Sequence, residues 1–119
     1  TFSLATEKLN AYNLAYLHSM EPLAGHPRAA PGERVSPHMR KIFKGTFILN
    51  GGYTQALGEQ ALAAGEGDAV AYGVLFIANP DLVTRFKTNA PLNAPDPSTF
   101  YMHEAKGYVD YPVLKNAAA

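Results

Sequence analysis

Three short apolar runs without helical period punctuate the chain. Leu14-Ala15-Tyr16-Leu17-His18, Thr46-Phe47-Ile48-Leu49 and Asp68-Ala69-Val70-Ala71-Tyr72 each read as a buried β-strand. The second run is the most strand-like, being β-branched and aromatic and bounded by Gly45 and Asn50-Gly51-Gly52. Segments of helical character lie between them. Residues 4–10 read as a short helix with Ser3 as N-cap and Glu7 and Lys8 facing solvent. Residues 38–43 read as another, with Ser36 as N-cap and Pro37 at the first helical position. Residues 54–64 form a third, capped by Thr54, with Leu57, Ala61, Leu62 and Ala64 on its apolar face and Gly65 and Gly67 ending it. Asn79-Pro80-Asp81-Leu82 starts a fourth, which runs to about Lys87, with Asn79 as N-cap. Met20-Glu21-Pro22 breaks the first strand. The loop at 23–37, with Gly25, Pro27, Pro31, Gly32 and Pro37, has a length that compact domains reserve mostly for functional or mobile segments. Pro91, Pro95 and Pro97 make the remainder an irregular tail, with 117–119 expected to fray.

Strands alternating with helices argue for parallel βαβ units. The strands begin near residues 14, 46 and 69, at intervals of 32 and 23. A (β/α)8 barrel averages about 31 residues per unit. Three strands cannot close a barrel, and a parallel three-stranded sheet with two open edges is a poor stand-alone solution. The pattern therefore describes either a small open α/β domain or a piece of something larger.

Length and charge narrow this further. At 119 residues the chain holds at most one domain. Ten basic side chains balance ten acidic ones, so no global field draws it to nucleic acid or anionic lipid. The absence of cysteine excludes a disulfide framework, a thiolate metal site and a cysteine nucleophile, and it fits a reducing, cytoplasmic setting. No apolar run has membrane-spanning length, and no secretory leader is expected.

Candidate chemistry concentrates in two turns. Asn50-Gly51-Gly52-Tyr53-Thr54 joins a strand to a helix N-terminus, where glycine lets the backbone approach a ligand and point N–H groups at it. Gly73-Val74 does the same after the third strand. Together these turns suit a phosphate, which (β/α)8 barrels hold at the loops after strands 7 and 8. They equally suit ordinary tight turns with no ligand. His18, His26, His38 and His103 have no partners at metal-ligand spacing, so no metal site is expected. His18, at a strand end, could face a pocket or be a satisfied structural histidine. Glu21 reads as an ion-pairing or solvated carboxylate rather than an acid acting on substrate. No nucleophile elbow is present. In the tail, Tyr108 and Tyr111 read as staples onto the body, and Tyr101 as a possible pocket residue.

These same residues resemble the Old Yellow Enzyme family of flavin-dependent ene-reductases, which includes xenobiotic reductases and oxophytodienoate reductases. The likeness runs through Leu14-Ala15-Tyr16-Leu17-His18 with Glu21-Pro22, Asn50-Gly51-Gly52-Tyr53 and Asp68-Ala69-Val70-Ala71-Tyr72-Gly73. It continues through Phe76-Ile77-Ala78-Asn79-Pro80-Asp81-Leu82, Arg85-Phe86, Pro91-Leu92-Asn93, Thr99-Phe100-Tyr101 and Gly107-Tyr108-Val109-Asp110-Tyr111-Pro112. It covers nearly the whole chain except the loop at 23–35. The resemblance implies an α/β fold, namely about strands 6–8 with their helices from the C-terminal third of a TIM (β/α)8 barrel. Residues 1–119 would then be one segment of a flavin-binding domain, incomplete by itself. It implies FMN as cofactor, NAD(P)H as hydride donor and an activated alkene as substrate. Gly51 and Gly52 match positions whose backbone meets the FMN phosphate, Gly73 and Val74 match the second half of that cradle, and Tyr101 matches an aromatic bordering the substrate pocket. The loop at 23–35 matches a variable loop over the active site. Two departures stand out. Val74 occupies a position that is often arginine in the family, so a charge pair with the phosphate is lost. The family's substrate-holding His/Asn pair, its tyrosine proton donor and most ring contacts match nothing here, so no catalytic residue is assigned and the chain alone is expected to be inactive. Its partner would be the remainder of the barrel, with no nucleic acid and no membrane. The alternative is a non-catalytic α/β fragment or interaction module that binds a complementary half-barrel or a phosphorylated small molecule.

Overall fold

The computed structural model describes residues 1–102 and 105–115. His103 and the expected fraying at 117–119 lie outside the described residues. The chain divides into two compact units, Thr1–Tyr72 and Gly73–Ala119.

The first unit holds the sheet. Strands β1 (Tyr16–Met20), β2 (Thr46–Asn50) and β3 (Ala69–Val70) lie in the order β1-β2-β3, with both pairs parallel. The expected parallel βαβ arrangement is therefore present. Register places Leu17 beside Phe47 and Ser19 beside Leu49 on one face, and Tyr16, His18 and Met20 beside Thr46, Ile48 and Asn50 on the other. Phe47 and Leu49 are almost wholly buried and form a core with Phe43, Tyr53 and Ala61. Leu9, Leu17, Leu23, Met39, Val70 and Tyr72 pack around it. The opposite face is open, with Tyr16 and Met20 exposed.

The first strand differs from its expected form. It begins two residues later than the apolar run, because Leu14 N–H donates to the Tyr12 carbonyl and closes a turn ahead of it. It is also not buried. As the outer strand with one neighbour, it alternates between half-buried and exposed residues. The third strand is shorter than the run at 68–72, although Asp68 and Ala71 extend its ladder by donating to the Phe47 and Leu49 carbonyls.

Helices α1 (Phe2–Leu9), α2 (Ser36–Ile42) and α3 (Gln55–Ala63) complete this unit. In α1 the N-cap is Thr1 rather than Ser3. Asn10 ties the end of α1 to α2, donating to the Ile42 carbonyl and accepting from Lys44 N–H. In α2 the N-cap is Val35, and Ser36 falls inside the first turn. Thr54 caps α3 as its sequence requires, its hydroxyl accepting from Leu57 N–H at 3.3 Å. The buried stripe of α3 is Gly58 and Ala61, while Leu57, Leu62 and Ala64 are exposed. A side chain at position 58 would collide with the Tyr72 hydroxyl, so α3 lies too close to the sheet for a leucine stripe.

The second unit contains α4 (Val74–Ala78), α5 (Leu82–Thr88) and a single 3-10 turn at Pro97–Thr99. Residues 74–78 form a helix that the apolar pattern does not separate from a strand. Asp81, not Asn79, is the N-cap of α5. Asn79 is fully buried, and its amide serves elsewhere: it donates to the Leu75 carbonyl at 2.9 Å and accepts from Asn93 N–H at 2.7 Å.

That amide belongs to a polar lock around Arg85, which is 4% exposed. Arg85 pairs with Asp81 at 2.6 Å, donates to the Pro112 carbonyl at 2.8 Å and also donates to the Pro91 carbonyl. Asp81 accepts from Leu114 N–H, and Asn93 donates to the carbonyls of Ala78 and Pro112. Arg85 first, then the Leu114 amide, hold the Asp81 carboxyl below its ordinary pKa. The tail is thus fastened by its backbone to buried side chains of α5. Tyr111 joins in, its hydroxyl accepting from Asp96 N–H, whereas Tyr108 is half exposed.

Candidate functional site

The turn after β2 is shaped by its surroundings. Gly51 has φ +134° and Gly52 φ +84°, a region L side chains rarely adopt. A Cβ on Gly51 would overlap the Glu21 carbonyl. Glu21 N–H donates to the Asn50 carbonyl and Leu23 N–H to the Gly51 carbonyl, so the chain leaving β1 runs directly against this turn. A Cβ on Gly52 would stand 3.1 Å from His26 Cδ2, placing that histidine of the long loop beside the turn. The glycines are therefore required by the fold itself. Their donors are another matter. Among the described residues, the N–H groups of Gly51, Gly52 and Tyr53 meet no acceptor, and they lead directly into capped α3. A row of such donors at a helix start favours an anion.

The loop at 23–35 is closed at its neck by Glu21. Its carboxylate accepts from Val35 N–H at 2.6 Å and Ser36 N–H at 2.8 Å, and so does the capping that the sequence suggests for Ser36. Burial alone would raise the Glu21 pKa. Hydrogen bonds from Ser36 and Val35, with the Arg34 charge, outweigh it and hold the carboxyl below its ordinary value. The ion-pairing expectation for Glu21 holds. Arg34 reaches across to Tyr53, donating to its hydroxyl at 2.9 Å and to Ser36 Oγ at 3.0 Å, and it lies 3.6 Å from Glu66. Its Nε is buried without a hydrogen-bond partner among the described residues, the nearest carboxylate oxygen of Glu21 being 3.7 Å away. Leaving such a donor unmet costs about 1–3 kcal/mol. Nothing in the sequence marks Arg34, since a lone arginine in a Pro/Gly-rich loop ordinarily faces water.

In the second unit, Gly73 is the N-cap of α4 and Val74 its first residue, as expected for a strand-to-helix turn. Gly73 has an ordinary φ of −85°, and a Cβ there would meet nothing within 4 Å. Neither strain nor packing among the described residues calls for glycine. Val74 is half exposed. Tyr101 is 83% exposed with φ +62°, an uncommon backbone for an aromatic residue. His18 lies in the middle of β1 on its open face rather than at a strand end or in the core. Among the described residues no group of His, Asp and Glu is arranged to hold a metal, and no helix is long and apolar enough to cross a membrane.

No protein-family model matches the chain. Individual relatives do. It is 47% identical over 116 residues to 12-oxophytodienoate reductase 2 of Arabidopsis thaliana, covering 94% of this chain and 30% of the relative. It is 45% identical to the putative 12-oxophytodienoate reductase 3 of Oryza sativa subsp. japonica, again over 30% of its length. Among solved structures, the old yellow enzyme homologue from Zymomonas mobilis superimposes with a TM-score of 0.90 at 38% identity, over 95% of this chain and 32% of that one. Morphinone reductase gives 0.87 at 42% identity, over 99% and 32%. The chain thus spans about a third of the length of the relatives it matches. Along nearly its whole length, in sequence and in fold, the chain is therefore similar to one segment of Old Yellow Enzyme family proteins.

Proposed function

We propose that the chain is the C-terminal portion, about strands 6–8, of a (β/α)8 barrel that reduces activated C=C bonds with FMN and NAD(P)H. Its part is to hold the FMN phosphate and to form one wall of the substrate pocket. The observation that carries this reading is the row of N–H groups at Gly51, Gly52 and Tyr53, unmet among the described residues at the C-terminal end of the central strand. Active-site groups of parallel barrels sit at that end. These residues fit a phosphate by donor chemistry: three amides, followed by a helix start with its partial positive charge. Gly73 is consistent with the same role in its own unit, since it is a glycine for which the described fold gives no reason. Val74 brings only its backbone N–H where family members often bring arginine. The phosphate is therefore held by backbone donors, with a weaker charge contribution. Tyr101, exposed on a rarely used backbone conformation, presents a ring suited to lining an apolar pocket.

The flavin, when bound, carries hydride from the nicotinamide to the alkene. This chain anchors and orients it, and residues elsewhere in the enzyme supply the proton and grip the substrate. The open face of the sheet, bearing Tyr16, His18 and Met20, would be covered by the other strands.

The test is a visible spectrum of the native purified protein containing this chain, with alkene-dependent oxidation of NAD(P)H followed alongside. A flavin band and alkene-dependent turnover are expected. A colourless protein that takes up no added FMN would leave the chain as a non-catalytic module.

A further inference from the structure

Residues 21–36 form a closed loop whose two ends meet at one carboxylate. Glu21 opens it and receives the N–H groups of Val35 and Ser36, which close it. A compact loop with adjoining ends behaves as a unit. That unit is attached to the turn after β2 in two ways. On one side, Leu23 N–H donates to the Gly51 carbonyl. On the other, Arg34 donates to the hydroxyl of Tyr53, the residue following Gly52. The side chains of Arg34 and Glu21 are each about three-quarters buried, so these bonds are shielded from competing water. The closure is incomplete. Arg34 Nε is buried and unmet among the described residues, and Glu21 Oε2 stands at 3.7 Å, a little beyond hydrogen-bond reach. Drawing the two together would satisfy the Arg34 Nε donor.

We infer that Arg34 is a positioning residue for the Gly51–Gly52 turn: acting through the Tyr53 hydroxyl and the Glu21 carboxylate, it sets the turn's amides for a phosphate and couples their occupation to closure of the 21–36 loop. This inference rests on the reading of that turn as a flavin phosphate site. Ligand binding at the amides and tightening of the Arg34–Glu21 contact favour each other, because Arg34 bonds the hydroxyl of Tyr53, which carries one of those amides, and also faces Glu21.

The experiment compares FMN with riboflavin, which lacks the phosphate, in the native flavin-free protein and in Y53F. Phenylalanine keeps the buried ring, and Arg34 keeps its bond to Ser36, so the fold survives the change. The expected result is FMN binding weakened roughly 3- to 10-fold, the factor one hydrogen bond is worth, with riboflavin affinity unchanged. The double variant Y53F/R34M should weaken FMN no more than R34M alone, because Arg34 acts through Tyr53. A parent protein that prefers FMN to riboflavin, with Y53F sharing the same preference, overturns the positioning role and leaves the phosphate site standing. Equal loss of FMN and riboflavin overturns it too, as the mark of a merely structural contact. A parent that does not discriminate the two flavins overturns the phosphate reading and this inference with it.

Discussion

At Glu21 two opposing effects meet. Burial works against its charge, and hydrogen bonds from Ser36 and Val35 with the Arg34 guanidinium work for it, the second group prevailing. A carboxyl held below its ordinary value of 4.5 stabilises the fold above that pH, and its contribution is lost as the pH falls through its folded-state pKa. E21Q should therefore melt at a lower temperature than the parent near neutrality, and the gap should shrink as the pH drops below about 4.5. Thermal melts of both proteins from about pH 7 to pH 3 test this, and a gap that widened on acidification would contradict it. In the second unit the corresponding residue is Arg85. R85M strands the Asp81 carboxylate and the carbonyls of Pro91 and Pro112, two backbone acceptors, and should cost about 3–5 kcal/mol. Hydrogen exchange at Leu114 and Asn93 is the direct readout, since their amides donate to Asp81 and Asn79. Protection there equal to the parent's would show the lock to be dispensable. Half of this lock is visible in the sequence, because Asp81 and Arg85 are four residues apart and pair along one helix face. Its other half is not, because a carbonyl at Pro91 or Pro112 is the same chemical group that every residue carries.

Among the elements, α3 and β2 were the most legible. Thr54 is a capping residue ahead of a helical stretch, and Thr46–Asn50 is a β-branched and aromatic run between glycines. T54A should cost about 1 kcal/mol, readable as a lowered denaturation midpoint. The weaker elements were set by neighbours that no local pattern encodes. Val35 caps α2 because Glu21 is there to receive its N–H, and Leu14 leaves β1 because it bonds back to Tyr12. The candidate site shows the same division. Both glycine turns stand out in the sequence, but the reason for each glycine emerges only in three dimensions, and the two reasons differ. Gly51 is demanded by its φ and by the Glu21 backbone, so G51A should destabilise the chain by more than about 1 kcal/mol whether or not flavin binds. Gly73 has an ordinary φ and open space, so G73A should leave the melting temperature unchanged or slightly raised. If a phosphate approaches Gly73, the same G73A change lowers FMN retention in the native protein. Folding and binding are thus separable at position 73 and inseparable at 51. Unaltered FMN retention in G73A would remove Gly73 from the phosphate's contacts.

At the scale of the whole chain, the question is what covers the sheet. One face packs Phe47 and Leu49 into the core, and the other carries Tyr16 at 55% and Met20 at 77% exposure. The alternating register makes this difference unavoidable: residues one step apart on β1 face opposite ways, so a strand whose helix side is filled still shows a second side. A face that exposes Tyr16 and Met20, together with an open edge on β1, is a template for association. The chain by itself is therefore expected to form concentration-dependent oligomers in analytical ultracentrifugation. Adding a polypeptide that carries the remaining strands of an Old Yellow Enzyme relative should convert it to a one-to-one complex, with the β1 amides newly protected from exchange. On the proposed reading, in which this chain holds the FMN phosphate and the other the ring, adding FMN should tighten that complex. A chain that stayed monomeric at high concentration, unfolded in one cooperative step and ignored the complementary strands would argue for a self-sufficient module instead. The open face of β1 makes that the less stable arrangement, since its exposed tyrosine and methionine are the side chains a barrel interior would take in.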